Sequence, residues 1–376
     1  MELKDVKIRA IAYHAPLPEK FIELREYVDN LIRFSFDELR KILSRETGLE
    51  VFTRRVVFPY YEDFKSIYGL DLERFVALIY EELGERKDID FISIPFAEYD
   101  KNYMDVFPEL LLNYPKLFLS LKYDPLNILE DIELLKNISV RGGWINATHF
   151  AFSFGNQLVT PYFPATLSDS KGITFSLLYP NFLLNHSKEE KDLEKSITYI
   201  AKHLLSKSIG VIEEFKETGK LIGIDYSLSP WMNDSVANLL EKLNGLTFSL
   251  PGTLSKIFEI NNVLLRISMR YRGVGYNEIM LPLAEDNHLK YLAKSGEIFF
   301  SDFLSFISVC VAGLDMIPIP SWTDIRILEG VFNDLYSLAQ HKGRTIGLRL
   351  ILVDAEPGEE VDLGIFGKTP VLDPIE

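Results

Sequence analysis

Two carboxylates stand where a carboxylate is hard to accommodate. Asp225 closes the apolar run Leu221–Ile224 and is followed by Ser227 and Ser229. In parallel α/β folds ligands bind beyond the carboxyl ends of strands, so Asp225 at such an end is placed to bind an amine or hydroxyl, act as a base, or ligate a cation. The competing reading is local: Asp225 and the serines satisfy loop amides, and Asn233 or Asp234 caps the next helix. Asp315 lies inside Phe306–Pro320, an otherwise apolar stretch that also holds Cys310, the single cysteine. A carboxylate there needs a basic partner, a hydrogen-bond network or a ligand; Arg54 or Arg55 is the expected partner. Cys310 reads first as a buried small hydrophobe. Gly273-Val-Gly275-Tyr-Asn277-Glu278 is a glycine turn whose amides can approach an anion. It lacks the third glycine of a dinucleotide fingerprint and the Gly-Lys-Ser/Thr of a phosphate loop. The six histidines form no zinc-binding spacing, and no Gly-x-Ser-x-Gly elbow occurs, so a metal site and a serine hydrolase are unsupported.

The elements that must carry these residues alternate. Strands are predicted at Val6–Tyr13, Val51–Phe58, Asp90–Pro95, Lys116–Tyr123, His149–Phe154, Ile173–Tyr179, Leu221–Ser227 and Ile346–Val353, with Ser308–Ile319 extended. Helices are predicted at Glu19–Arg45, Leu72–Leu83, Met104–Asn113, Leu126–Lys136, Ser187–Thr218, Asn233–Leu243, Pro251–Tyr271, Glu285–Lys294, Phe300–Phe306 and Asp324–Ala339. About ten strands interleaved with helices imply a largely parallel sheet with helices outside, either doubly wound or a closed barrel. No linker, low-complexity tract or repeat divides the chain, so one domain over residues 1–376 is expected.

Composition narrows the function. The 376 residues carry 40 Lys+Arg against 55 Asp+Glu, a formal charge of −15, which argues against sequence-independent nucleic-acid binding. One cysteine excludes a disulfide framework within the chain and multi-cysteine metal sites. No apolar run of about 18 residues occurs, so no membrane span is expected. The charged start Met1–Asp5 lacks a signal peptide's apolar stretch, and a cytoplasmic location follows as an expectation. Two glutamines, Gln157 and Gln340, among many Glu, Lys and Ile hint at a thermophile.

Three ordered blocks carry a resemblance. Cys310-Val-Ala-Gly-Leu-Asp315-Met-Ile-Pro318-Ile-Pro320, Asp225-Tyr-Ser227-Leu-Ser229-Pro230 followed by Asp234-Ser235-Val236, and Gly364-Ile-Phe-Gly367-Lys-Thr-Pro370-Val371 resemble the signature segments of domain-of-unknown-function family 711. Its members are often labelled PFL-like. Lys7–Ile11, Gly48–Val51 and Arg54–Val56 extend the likeness over almost the whole chain. The resemblance implies the ten-stranded α/β barrel of glycyl radical enzymes such as pyruvate formate-lyase, helices outside. It also implies a thiyl role for Cys310, which would need a glycine loop for which Arg344-Thr-Ile-Gly347-Leu is a faint echo. The chain departs from the family at residues 158–169, where many members carry an acidic pair and a histidine and this chain has Leu158-Val-Thr160-Pro161-Tyr162 onward.

The expected function is therefore binding or conversion of a small polar metabolite at the barrel mouth. Asp225, Asp315 and Cys310 are the reactive candidates. Ser227, Ser229, Arg54, Gly273, Gly275, Asn277, Glu278, Gly364 and Gly367 are the binding candidates. No cofactor is identified. The alternative is a non-catalytic regulatory or structural protein, and a homodimer is the expected assembly in either case.

Overall fold

The computed structural model describes residues 2–18, 22–187, 190–310 and 313–375. Nine strands form one sheet: β1 (Lys7–His14), β2 (Glu50–Val57), β3 (Phe91–Phe96), β4 (Leu117–Lys122), β5 (Phe150–Phe154), β6 (Gly172–Leu178), β7 (Lys220–Asp225), β8 (Leu314–Pro320) and β9 (Ile346–Val353). Their order is β7-β6-β1-β2-β3-β4-β5-β9-β8. β1 to β5 run parallel. β6 and β7 are parallel to each other and antiparallel to β1, and β8 and β9 likewise to β5. Helices link most of the strands. A small hairpin, β10 (Glu360–Asp362) with β11 (Lys368–Pro370), follows the sheet.

β5, β6, β8 and β9 are buried at every residue, as their apolar, β-branched composition requires when both faces are covered. Two strand pairings, one antiparallel and one parallel, are irregular beside a charged residue. The pairing of β1 with β6 shifts register between Ile8 and Ala10, around Arg9. That of β8 with β9 shifts between Asp315 and Ile317, around Met316 at φ 57°. Such bulges turn a side chain out of the regular alternation.

Two helical predictions need correction. Glu19–Arg45 is not one helix: Leu24–Leu31 ends, and Phe36–Thr47 starts anew with Ser35 accepting from the Glu38 amide. A serine followed by Asp37 and Glu38 is a helix start that outweighs the continuing apolar spacing. Residues 19–21 lie outside the described residues. Ser187–Thr218 is shorter than predicted: Ser187 is extended after a separate helix Pro180–His186, the long helix runs Glu190–Glu214, and Lys216–Thr218 is a single 3-10 turn, with residues 188–189 outside the described residues. Gly48 does close its helix, at φ 73° with its amide on the Ser44 carbonyl. Among the described residues no helix is long and apolar enough to cross a membrane.

Candidate functional site: an arginine-lined cavity

A cavity of about 130 Å³ opens among the strands. Arg9 of β1, Thr53 and Arg55 of β2, Ser93 of β3, Asp315 of β8 and Arg349 of β9 supply much of its polar wall. His149, Ser229 and Glu285 reach it from loops and turns, and aromatic side chains fill most of the rest.

Its charges form a chain. Arg349 donates to Asp315 through Nε (2.5 Å) and Nη2 (2.9 Å), and its Nη2 also reaches Glu285 at 3.1 Å. Glu285 accepts from Arg9 Nη2 at 2.5 Å on its other oxygen, and Arg9 Nη1 donates to the Pro230 carbonyl. Asp315 and Arg349 are direct neighbours in the β8–β9 register, so the pair is built by the strands themselves. β1 and β9 are five steps apart in the sheet order. Flat spacing would separate them by about 24 Å, yet they share one carboxylate. The sheet must therefore curl around the cavity.

Arg55 stands outside this chain. Its Nε donates to Thr53 Oγ1 and its Nη1 to the Pro161 carbonyl, but among the described residues no carboxylate lies within ion-pair distance. Burial, with the nearby Arg9 charge, lowers its pKa to about 10. Arg349 is held above its ordinary value instead: burial disfavours its charge, but Asp315 and Glu285 outweigh that. Burial pushes Asp315 upward and Arg349 pulls it back. Burial lowers His149 to about 4, so its imidazole is neutral at pH 7, and its buried Nδ1 has no hydrogen-bond partner among the described residues. Three guanidinium groups against two carboxylates leave one positive charge in the cavity. Each guanidinium also lies over a ring: Arg9 over Trp231 at 5.1 Å, Arg55 over Phe91 at 5.1 Å, Arg349 over Phe163 at 5.4 Å.

Of the residues singled out in the sequence, Asp315, Ser229 and Arg55 line this cavity. Arg54 does not: Asp37 and Asp90 hold it on the other side of β2. The expectation that Arg54 or Arg55 pairs with Asp315 is corrected, because Arg349 fills that role across the strand pair. Gly364 and Gly367 flank Ile365 and Phe366, which do line the cavity. Cys310 is buried after the helix Phe300–Ile307, with its carbonyl accepting from Lys342 Nζ, and is not among the described residues lining the cavity. Val311 and Ala312 of its motif lie outside the described residues.

Asp225 organises a second cluster, also away from the cavity lining. Its carboxylate accepts from Thr160 Oγ1 (2.8 Å), Ser227 N and Oγ (3.0 and 2.6 Å), Tyr276 N (2.9 Å) and Asn277 N (3.0 Å). Burial raises its pKa, and these donors oppose the rise. Gly273, Gly275, Asn277 and Glu278 wrap this carboxylate: Asn277 Oδ1 accepts from the Tyr226 amide, Glu278 N donates to Ser227 Oγ, and the Glu278 carboxylate pairs with Arg344. The amides of the glycine turn thus face an anion, and the anion is Asp225. The helix that follows is capped by Ser235, not by Asn233 or Asp234, and Asp286 accepts from its first amides. Gly275 has φ 77°, and a Cβ there would overlap the Asp225 carboxylate. Gly275→Ala is expected to destabilise the chain by about 2–4 kcal/mol in urea unfolding, from left-handed strain plus a displaced buried carboxylate; a loss under about 0.5 kcal/mol would contradict this account of the turn.

Sequence reasoning named neither Arg9, Arg349 nor Glu285 as part of a site. The available signal was a lone arginine inside an apolar strand, Ile346–Val353 and Ile8–Tyr13, which has the same need for a partner that singled out Asp315. The divergent loop at 158–169 proves central: Tyr162 and Phe163 line the cavity, Pro161 accepts from Arg55, and Thr160 donates to Asp225.

The family described as Uncharacterised ACR (DUF711) matches residues 130–364, more than half of the chain, and the chain belongs to it. A UPF0210 protein of Corynebacterium glutamicum is 28% identical over 222 residues, covering 50% of this chain and 48% of that protein. A UPF0210 protein of Pyrobaculum arsenaticum is 30% identical over 168 residues, covering 43% and 38%. These matches span about half or less of the relatives' length. Among solved structures, the α subunit of a class Id ribonucleotide reductase from Actinobacillus ureae superposes with a TM-score of 0.45 at 10% identity, covering 93% of this chain and 84% of that one.

Proposed function

We propose that the chain is a single α/β barrel domain whose interior binds a small organic anion, with Arg55 as the cation that meets it. The observation that carries this reading is the missing carboxylate: the buried Arg9 and Arg349 have theirs, and Arg55, half-buried beside them on the cavity wall, has none among the described residues. A guanidinium partly withdrawn from water without a counter-charge is disfavoured, and an anionic ligand that seals it off supplies that counter-charge. Closure into ten strands is supported by residues 273–279, which bridge parallel to the β7 region at Ile224–Gly273 and Leu228–Ile279. It is further supported by Arg344 Nη2 donating to the Tyr276 carbonyl at 2.6 Å, just before β9.

Binding rather than turnover fits the carboxylates best, because Asp315 and Glu285 are both committed to arginines and neither is a ready base. The proposal is tested by thermal melting of the purified full chain with rising acetate, benzoate or inorganic phosphate, beside Arg55→Met. At least one anion should raise the melting temperature saturably in the native chain and not in the variant. Arg55→Met without anion should melt no lower than the native chain, since it removes a half-buried charge that has no carboxylate partner among the described residues. Equal shifts in both proteins, or no shift with any anion, would overturn the reading.

A further inference from the structure

The cavity says more than the sign of its ligand's charge. Resting on the anion-site reading above, we infer that the ligand is a monocarboxylate on a small planar apolar body, an aromatic acid of about the size of benzoate.

Three observations meet here. The first is charge: the cavity has a surplus of one, because Arg9 and Arg349 are already neutralised by Glu285 and Asp315. A dicarboxylate or a doubly charged phosphate would bring a second negative charge against those two buried carboxylates. The second is the donor edge. Arg55 spends Nε on Thr53 and Nη1 on Pro161, and its Nη2 has no acceptor among the described residues. One guanidinium nitrogen offers a carboxylate a single charge-assisted contact rather than the several that a phosphate's oxygens demand. The third is the wall. Phe91, Phe118, Phe163, Trp231, Met280 and Phe366 face the cavity, so whatever carries the carboxylate is surrounded by carbon. Rings already present show the preferred geometry: Phe91 and Phe163 stand edge-on to Phe118 at 4.7 and 5.2 Å between centroids, and His149 stacks on Phe118 at 4.1 Å. An incoming aromatic ring extends this set by the same edge and face contacts. The volume, about 130 Å³, is close to that of engineered apolar cavities, about 150 Å³, that hold benzene.

The test is calorimetric titration of the full chain with benzoate, acetate, succinate, inorganic phosphate and benzamide. Benzoate should bind at least tenfold tighter than acetate, through the ring, and at least tenfold tighter than benzamide, which has the ring without the charge. Succinate and phosphate should bind more weakly than benzoate. In Arg55→Met, benzoate affinity should fall to that of benzamide; circular dichroism and Arg55→Lys, which keeps the charge, separate a lost contact from a misfolded variant. If phosphate or succinate binds tightest and depends on Arg55, the ligand class is wrong while the anion site stands. If no anion binds, both fail. If benzamide equals benzoate, the cavity is an apolar pocket and the role given to Arg55 is overturned.

Discussion

Arg349→Met should destabilise the folded chain by about 3–5 kcal/mol, the usual consequence of removing one partner from a buried ion-paired group. Arg349 is the hinge of the charge chain. It holds both oxygens of Asp315 and one of Glu285, and all three side chains are less than a tenth exposed. Without it Asp315 is a buried carboxylate with no guanidinium hydrogen-bonded to it, and Glu285 keeps only Arg9. The loss should shrink on acidification. In the variant Asp315 titrates further above its unfolded value, so the native state holds a proton that the unfolded state releases. Stability then falls as pH rises through that interval and recovers as pH drops towards the ordinary carboxylate range. Pairing the substitution with Asp315→Leu should restore part of the loss, because the orphaned charge leaves with its partner. Urea unfolding of the two single variants and the double reads this coupling directly. Additive losses, or a single variant as stable as the native chain, would contradict the picture of a continuous buried network.

Asp131→Asn should work in the opposite direction. Asp131 lies on the helix Ile128–Asn137, is 1% exposed, and neither carboxylate oxygen has a hydrogen-bond partner among the described residues. Burial, with Glu130 and Asp124 nearby, raises its pKa to about 8. Tyr123 and Tyr99, whose own pKa values burial and this carboxyl raise, share its surroundings, and the Tyr123 hydroxyl is buried without a hydrogen-bond partner. Between about pH 4 and pH 8 the folded chain keeps the Asp131 proton and the unfolded chain does not. The native protein therefore loses stability across that window as pH rises. Four pH units at ~1.36 kcal/mol each set a ceiling of about 5–6 kcal/mol, and water entry and relaxation around the charged group reduce the expected gain to about 2–3 kcal/mol above pH 8. Asn carries no charge at any pH, so the variant's stability should flatten across the window. Parallel pH profiles for the two proteins would show that Asp131 is ionised and satisfied in the folded state.

The strands were the most legible part of the fold. Runs such as Ile346–Val353 and Ile173–Tyr179 are apolar because both faces of the sheet are covered, and that pattern survives without any tertiary information. The helix break at 32–35 was not legible, since apolar spacing continues across it and only the capping chemistry of Ser35 marks it. Asp315 was legible as a residue in need of a partner; its partner was not. Arg349 is 34 positions away, and a register set by a bulge at Met316 brings the two together, which no local pattern encodes. Asp225 illustrates the reverse. Its position at the end of β7 suggested a ligand, whereas Thr160 and the 276–277 amides, distant in sequence, saturate it. Arg55 was visible as a basic residue on an early strand; that it would be left without a carboxylate depends on how Arg9, Arg349 and Glu285 pair with one another.

The most direct measurement is a crystal structure of the full chain grown with benzoate and, separately, with acetate. The account predicts a carboxylate oxygen within hydrogen-bond distance of Arg55 Nη2 in the cavity between Phe91 and Phe163, with the Arg349–Asp315 and Arg9–Glu285 pairs intact. Water alone in the cavity in both crystals, or anions bound only elsewhere on the molecule, would contradict it.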